Sequence, residues 1–362
     1  MRFAPFVGAA AMFGSNAAAQ ITVIADTDNP AVLASRLVSA TNDRLSAGSG
    51  TGQLTCTSDC CDGGGPLPGA FQARGVSLQT SSTDCSTGPV PGCTGGLFDF
   101  GTSNNYDLRS PGIMLSTDCA RNYGTGPNDV NGNSTSFGVT TEPPAAAAAI
   151  ATVLAALPSS AATASRNDLS YLATSVTSCS RQPIAVEIVF GSEEWFDFVD
   201  DKADAVGILV NGQLIFASSV SAGVVAESSA VRPETELNAV QVIDVFPTGS
   251  PPETTSRLTL FVPGALAAPA GPGFRFDFEF LIWDADDDIY DSTLYVSQVR
   301  SAADVNADGQ VTAADFNAWI AAFNDGDLAA DQNGDGLLTS ADFNAWVINF
   351  NANCNVIGPN EG

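Results

Sequence analysis

One stretch near the C-terminus narrows the possibilities more than any other feature of this sequence. Asp304-Val305-Asn306-Ala307-Asp308-Gly309 recurs 27 residues on as Asp331-Gln332-Asn333-Gly334-Asp335-Gly336. The correspondence continues through Ala314-Asp315-Phe316-Asn317-Ala318-Trp319 and Ala341-Asp342-Phe343-Asn344-Ala345-Trp346, so one supersecondary unit is used twice. In each copy oxygen-bearing side chains stand at the first, third, fifth and ninth places and a glycine at the sixth. Calcium takes roughly six to eight oxygen ligands, which a twelve-residue loop supplies from positions 1, 3, 5, 7, 9 and 12, with glycine at 6 for the sharp turn. On that spacing the first loop offers the side chains of Asp304, Asn306, Asp308 and Asp315, the main-chain carbonyl of Gln310, and Thr312 at the place often served through water. The second offers Asp331, Asn333, Asp335 and Asp342, the carbonyl of Leu337, and Thr339. Position 12 is Asp in both, and its shorter arm has to come closer to the ion than the more usual Glu. Two calcium ions are therefore expected.

Each loop runs directly into an apolar stripe at helical spacing, Phe316-Trp319-Ile320-Phe323 and Phe343-Trp346-Val347-Phe350. No amphipathic helix is legible ahead of either loop. Two loop-helix units of this kind resemble a type I dockerin over residues 303–354, with Cys354 resembling the terminal cysteine of one dockerin subtype. The resemblance implies a small all-α calcium-binding module that joins an exported protein to a cohesin-like scaffold or surface protein. Recognition positions of the family fall here on Ala313, Ala314, Ile320 and Ala321, then Ser340, Ala341, Val347 and Ile348. The basic residues common at the third and fourth of these places are absent, and Ile320 and Val347 read equally well as core.

About 60 residues bury little apolar surface, and the bulk of the 362-residue chain lies ahead of them. Arg2, an apolar stretch over 3–14 and the small residues of Asn16-Ala17-Ala18-Ala19-Gln20 predict a secretory signal peptide over 1–19. No later stretch is apolar for long enough to insert in a membrane. The eight cysteines, Cys56, Cys60, Cys61, Cys85, Cys93, Cys119, Cys179 and Cys354, then read as disulfides of an exported chain. Five of them staple a region of Gly, Pro, Ser and Thr that has no core of its own. The formal charge of −27 disfavours nucleic acid and anionic membrane surfaces and favours cations. With no histidine in the chain, Ser-His-Asp and Cys-His catalysis and His-ligated zinc are excluded, while carboxylate chemistry is not.

Helices are expected over 30–39, where Pro30 suits a first helical position, and over 145–157, between Pro144 and Pro158. Strand signals dominate from Pro183 on. Val186, Ile188 and Phe190 alternate with Ala185, Glu187 and Val189; 205–210 and 213–217 flank Asn211-Gly212, the dipeptide of a tight hairpin. Phe274, Phe276, Phe278, Phe280 and Ile282 share one face of a long strand against Arg275, Asp277 and Glu279, so one face is core and the other wet or functional. Residues 257–262 and 292–299 add further strands. The fold class expected is mainly β: an antiparallel β-sandwich-like module with a few helices over 20–300, then the small all-α dockerin-like double EF-hand module over 301–354 and a tail over 355–362.

Four stretches of the large module resemble the choice-of-anchor L family. They are Gly112-Ile113-Met114-Leu115-Ser116-Thr117, Asn131-Gly132-Asn133-Ser134-Thr135-Ser136-Phe137, Phe190-Gly191-Ser192-Glu193-Glu194-Trp195, and Asp284 with Ile289-Tyr290-Asp291-Ser292. Trp195 replaces the usual Tyr, and the Cys-rich segment is an insertion. The resemblance implies secretion and surface display, and says little about ligand. Two acidic clusters lie in or beside these motifs: Glu193, Glu194, Asp197 and Asp204, and Asp284, Asp286 and Asp288. Crowded carboxylates need solvent or a cation, so these residues read as a further calcium site, as solvated acidic loops, or as a catalytic carboxylate pair. The functional expectation is an exported, non-catalytic binding or structural protein displayed outside the cell through its C-terminal module, with an extracellular glycan as a further partner class. The alternative is a carboxylate-dependent polysaccharide-degrading enzyme.

Overall fold

In the computed structural model, residues 21–26, 30–38, 45–47, 95–100, 108–117, 144, 146–157, 166–178, 181–192, 204–219, 240–241, 257–270, 273–285, 292–333, 335 and 337–351 are described. All eight cysteines, the signal-like segment and the Asn131–Phe137 motif lie outside them. The architecture is mainly β, in two antiparallel sheets. One runs in the order β1 (Ile21–Asp26), β3 (Gly95–Phe100), β4 (Gly112–Ser116), β13 (Ser292–Ser297), β6 (Ile184–Ser192), β10 (Leu258–Val262), with β9 (Val240–Gln241) and β14 (Arg300–Ser301) also paired to β6. The other runs β2 (Leu45–Ala47), β5 (Arg166–Ser178), β12 (Gly273–Ala285), β7 (Ala205–Val210), β8 (Gln213–Ser219), with β11 (Ala268–Ala270) paired to β12.

The alternating apolar residues of both sheets meet in one core. Ile113, Leu115, Val186, Ile188, Phe190, Leu294 and Val296 from the first sheet pack with Leu172, Val176, Val206, Ile208, Phe276, Phe278, Phe280 and Ile282 from the second. Helix α1 (Pro30–Arg36) adds Leu33 to this core, and Leu37 joins it just beyond the helix end. The helix ends at Arg36, where Leu37 N turns to the Ala34 carbonyl at 3.1 Å in a tighter 3-10 step, and the Leu37 carbonyl accepts from Val299 N at 2.6 Å. Helix α2 (Ala147–Ala156) lies on the outer face of the second sheet, where Ile150 and Val153 pack with Tyr171, Leu209, Leu281 and Trp283. That contact corrects the reading of β12 as having one wet face. Arg275, Asp277 and Glu279 are part-exposed and tied across the sheet, Tyr171 Oη donating to Glu279 at 2.8 Å, but Leu281, Trp283 and Ala285 on the same face are buried under α2. Asn211 and Gly212 both take positive φ, 50° and 75°, as a two-residue hairpin between right-twisted strands requires.

After β14 the chain enters the repeat. The first loop leads to α3 (Ala313–Asp325), a short 3-10 helix spans Leu328–Ala330, and the second loop leads to α4 (Ser340–Asn351). Trp319, Ala322 and Trp346 are the buried centre of this C-terminal unit, with Phe316, Phe323 and Phe350 against them. The two copies meet through aromatic rings, Phe316 with Trp346 at 5.1 Å and Trp319 with Phe343 at 5.6 Å between centroids, a geometry in which ring pairs attract beyond their buried area.

Candidate metal centre

Both loops are built by the same local rules. Thr312 caps α3, its hydroxyl accepting from Ala314 N at 3.1 Å, and Asp315 completes the capping box by taking Thr312 N at 2.7 Å. Position 12 of the loop is thus also the third residue of the helix. A carboxylate here serves the helix N-terminus and is turned back into the loop at the same time. Asp315 accepts Asn306 N at 3.2 Å with its other oxygen, and Asp304 accepts Gly309 N at 3.0 Å. Gly309 has φ 88° and Ala307 φ 59°, so the loop turns through two left-handed residues. The second loop repeats this: Asp342 accepts Thr339 N at 2.7 Å and Gln332 N at 3.1 Å, and Asp331 accepts Asp335 N at 3.2 Å.

Four carboxylates, those of Asp304, Asp315, Asp331 and Asp342, are buried on the inner side of the loops. Asn306, Asp308, Asn333 and Asp335 stand on the exposed lip, where Asn306 donates to Asp308 and Asn333 to Asp335, each at 2.9 Å. Gln310, Thr312, Leu337 and Thr339 complete the circuit at exposed positions. Among the described residues no three His, Cys, Asp or Glu side chains are grouped so as to hold a metal ion; the loop carboxylates face main-chain N–H groups. Asp304 does so with one oxygen only, Oδ2. Its Oδ1 is buried without any hydrogen-bond partner, which is expensive for a carboxylate. Burial chiefly pushes the Asp304 carboxyl up to about 7; Arg300 and the Gly309 N–H pull against this, and the Asp315 and Asp308 charges reinforce it. Burial likewise raises Asp315. An all-oxygen donor set around the buried, unsatisfied carboxylate of Asp304 is chemistry that fits a hard dication such as calcium; Asp304, Asn306, Asp308 and Asp315 are the residues that would hold it in the first loop.

A cluster of charges that sequence reasoning did not single out seats this unit on the sandwich. Glu187, fully buried on β6, accepts from Arg300 Nη2 at 2.9 Å and from Arg109 N at 2.8 Å. Arg300 Nε donates to the Asp304 carbonyl and Arg109 Nη1 to the Val305 carbonyl, at 2.8 and 2.9 Å. Arg109 and Arg257 both donate to Asp327 Oδ2, the latter at 2.7 Å. Burial alone would raise the Asp327 carboxyl, but Arg257 and Arg109 outweigh it and hold it below its ordinary value. No periodicity marks such a cluster, because its members come from β6, β14, the segments before β4 and β10, and the turn after α3.

The other candidates separate. Asp204 and Asp284 lie buried at the end of the sandwich opposite the C-terminal unit. Asp204 accepts from Ser292 Oγ at 2.6 Å and Ala285 N at 3.3 Å, so both of its oxygens serve the fold. Glu193, Glu194, Asp197, Asp286 and Asp288 lie outside the described residues. Single described residues from three of the sequence motifs meet at this end: Ser192 pairs with Ser292, and Thr117 Oγ1 accepts Ser292 N at 2.7 Å. On the C-terminal unit Ala313, Ala314, Ile320, Ala321, Ser340, Ala341 and Ile348 are exposed, whereas Val347 packs against the core. No family model, curated protein or solved structure matches this chain.

Proposed function

We propose that this is an exported calcium-binding protein of non-catalytic, binding or structural role, displayed outside the cell through its C-terminal dockerin-like unit. The observation that carries the reading is the buried, unpartnered Oδ1 of Asp304 inside a loop whose other inward groups are carboxylate oxygens. A cation bound there would relieve both the desolvation of Asp304 and its repulsion from Asp315 and Asp308. The matching spacing of Asp331, Asn333, Asp335 and Asp342 in the second loop, with Asp331 and Asp342 buried as Asp304 and Asp315 are, supports a second ion. Partner binding is supported by apolar side chains left in solvent on the two helices, Ile320 at 39%, Phe343 at 41% and Ile348 at 67% exposure, which suits a cohesin-like surface on a scaffold.

The test is chelation of the intact protein followed by calcium. Trp319 and Trp346 lie between the two copies, so their fluorescence and the helical circular dichroism should fall with chelator and return with calcium. Magnesium should restore them poorly, since it demands ~2.0–2.1 Å octahedral coordination and dehydrates reluctantly. Signals indifferent to chelator would overturn the reading.

A further inference from the structure

We propose that Arg109, Arg257 and Arg300 form a docking surface on the sandwich whose partner is the protein's own C-terminal unit, and that calcium in the first loop and seating of that unit strengthen one another. The proposal rests on the calcium reading above and adds a coupling to it.

The grip is on both ends of one loop-helix unit. At its entry, Arg300 and Arg109 hold the carbonyls of Asp304 and Val305, the first two residues of the first loop. At its exit, Gly326 ends α3 in the left-handed conformation at φ 78° and Asp327 follows at once. Asp327 Oδ1 caps the 3-10 helix through Ala329 N at 2.8 Å, while Oδ2 takes Arg109 and Arg257. The first loop and α3 are therefore braced between two fixed points. The second copy is reached less directly, through Gln332 Nε2 on the Ala302 carbonyl at 2.8 Å and Asn349 on Gln332.

A site that is ordered only part of the time binds with its intrinsic affinity multiplied by the competent fraction. The brace raises that fraction for the first loop, and by linkage the ion must tighten the brace equally. An opposing effect exists: the positive charges of Arg109, Arg257 and Arg300 lie beside the first loop and repel a dication. The two effects have opposite signs in one variant. Removing Arg257, which touches Asp327 and neither loop carbonyl, would tighten calcium if charge dominated and weaken it if the brace does.

Calorimetric calcium titration of the full chain and of full-chain Arg257→Gln and Asp327→Ser decides. The serine keeps a cap for Ala329 but loses the ion pairs, so it stands in should Arg257→Gln disturb the sandwich. We expect one of two sites to weaken about 5-fold or more in each variant, with the far-ultraviolet strand signal retained. In the wild type, calcium should slow hydrogen exchange at the amides of residues 300–305. Unchanged or tighter binding in both variants would overturn the coupling and leave the calcium sites standing, whereas a wild-type chain that binds no calcium would overturn both.

Discussion

Glu187 occupies a position that alternation along β6 assigns simply to the face opposite Val186 and Ile188. The structure buries it completely, and it is tolerable there only because Arg300 and Arg109, far away in sequence, bring donors to both of its oxygens. Removing one partner from a buried charged pair leaves the other uncompensated, which typically costs about 3–5 kcal/mol. Glu187→Gln should therefore lower the unfolding free energy from denaturant titration by that order, and a change under about 1 kcal/mol would contradict the role given to it. Asp304 makes a prediction about pH. Its folded value of about 7 lies above the ordinary carboxylate value, so without calcium the folded unit holds its proton longer than the unfolded chain does. Stability present below about pH 4 should then be lost as pH rises to about 7, and level off above. With calcium the ionised form is the bound one, and stability should instead fall as pH drops below about 7. Melting curves read by tryptophan fluorescence, chelated and loaded, should show these opposite trends; parallel trends would speak against the site.

The elements were legible wherever a short-range rule governs them. Asn211-Gly212 forms its hairpin because both residues accept positive φ, and Asn211 is pinned further by Asp277 N donating to its side chain at 2.8 Å. The inner face of β12 follows from phenylalanines at every second place. The turn of each loop and the helix after it follow from the repeat, including the place of Asp315, which is set by the capping box as well as by the loop. What the sequence conceals is who covers whom. Trp283 and Leu281 look like an interruption of a polar face until α2 is laid over them, and the arginine brace has no local signature at all. Gly207 records the helix contact directly: a Cβ there would meet Val153 Cγ2 at 2.3 Å. Gly207→Ala should cost about 1–3 kcal/mol by overpacking, with the loss read in thermal unfolding of the strand signal, and Val153→Ala in the same chain should recover part of it. No loss in the single variant would mean that α2 does not sit on β7.

On the scale of the whole molecule the protein has two poles. The nine residues of β6 span about 30 Å between them. At one end lie Ser192, Ser292, Thr117, Asp204 and Asp284. At the other, Glu187 and Arg300 join the sandwich to the repeat. The acidic pole and the partner face were read from sequence only as candidates. The deciding residues at the first lie outside the described residues, and exposed apolar groups such as Ile348 name no partner. The two oxygen-rich loops are different, because donor type and spacing alone predict a stoichiometry. The most direct test is therefore a calorimetric count of calcium bound by the chelator-treated intact chain, alone and with Asp304→Ala, Asp331→Ala, or both. The account predicts two ions for the wild type, one for each single variant and none for the double variant in the C-terminal unit. A wild-type titration with no heat above the blank, or a double variant that binds as many ions as the wild type, would contradict it.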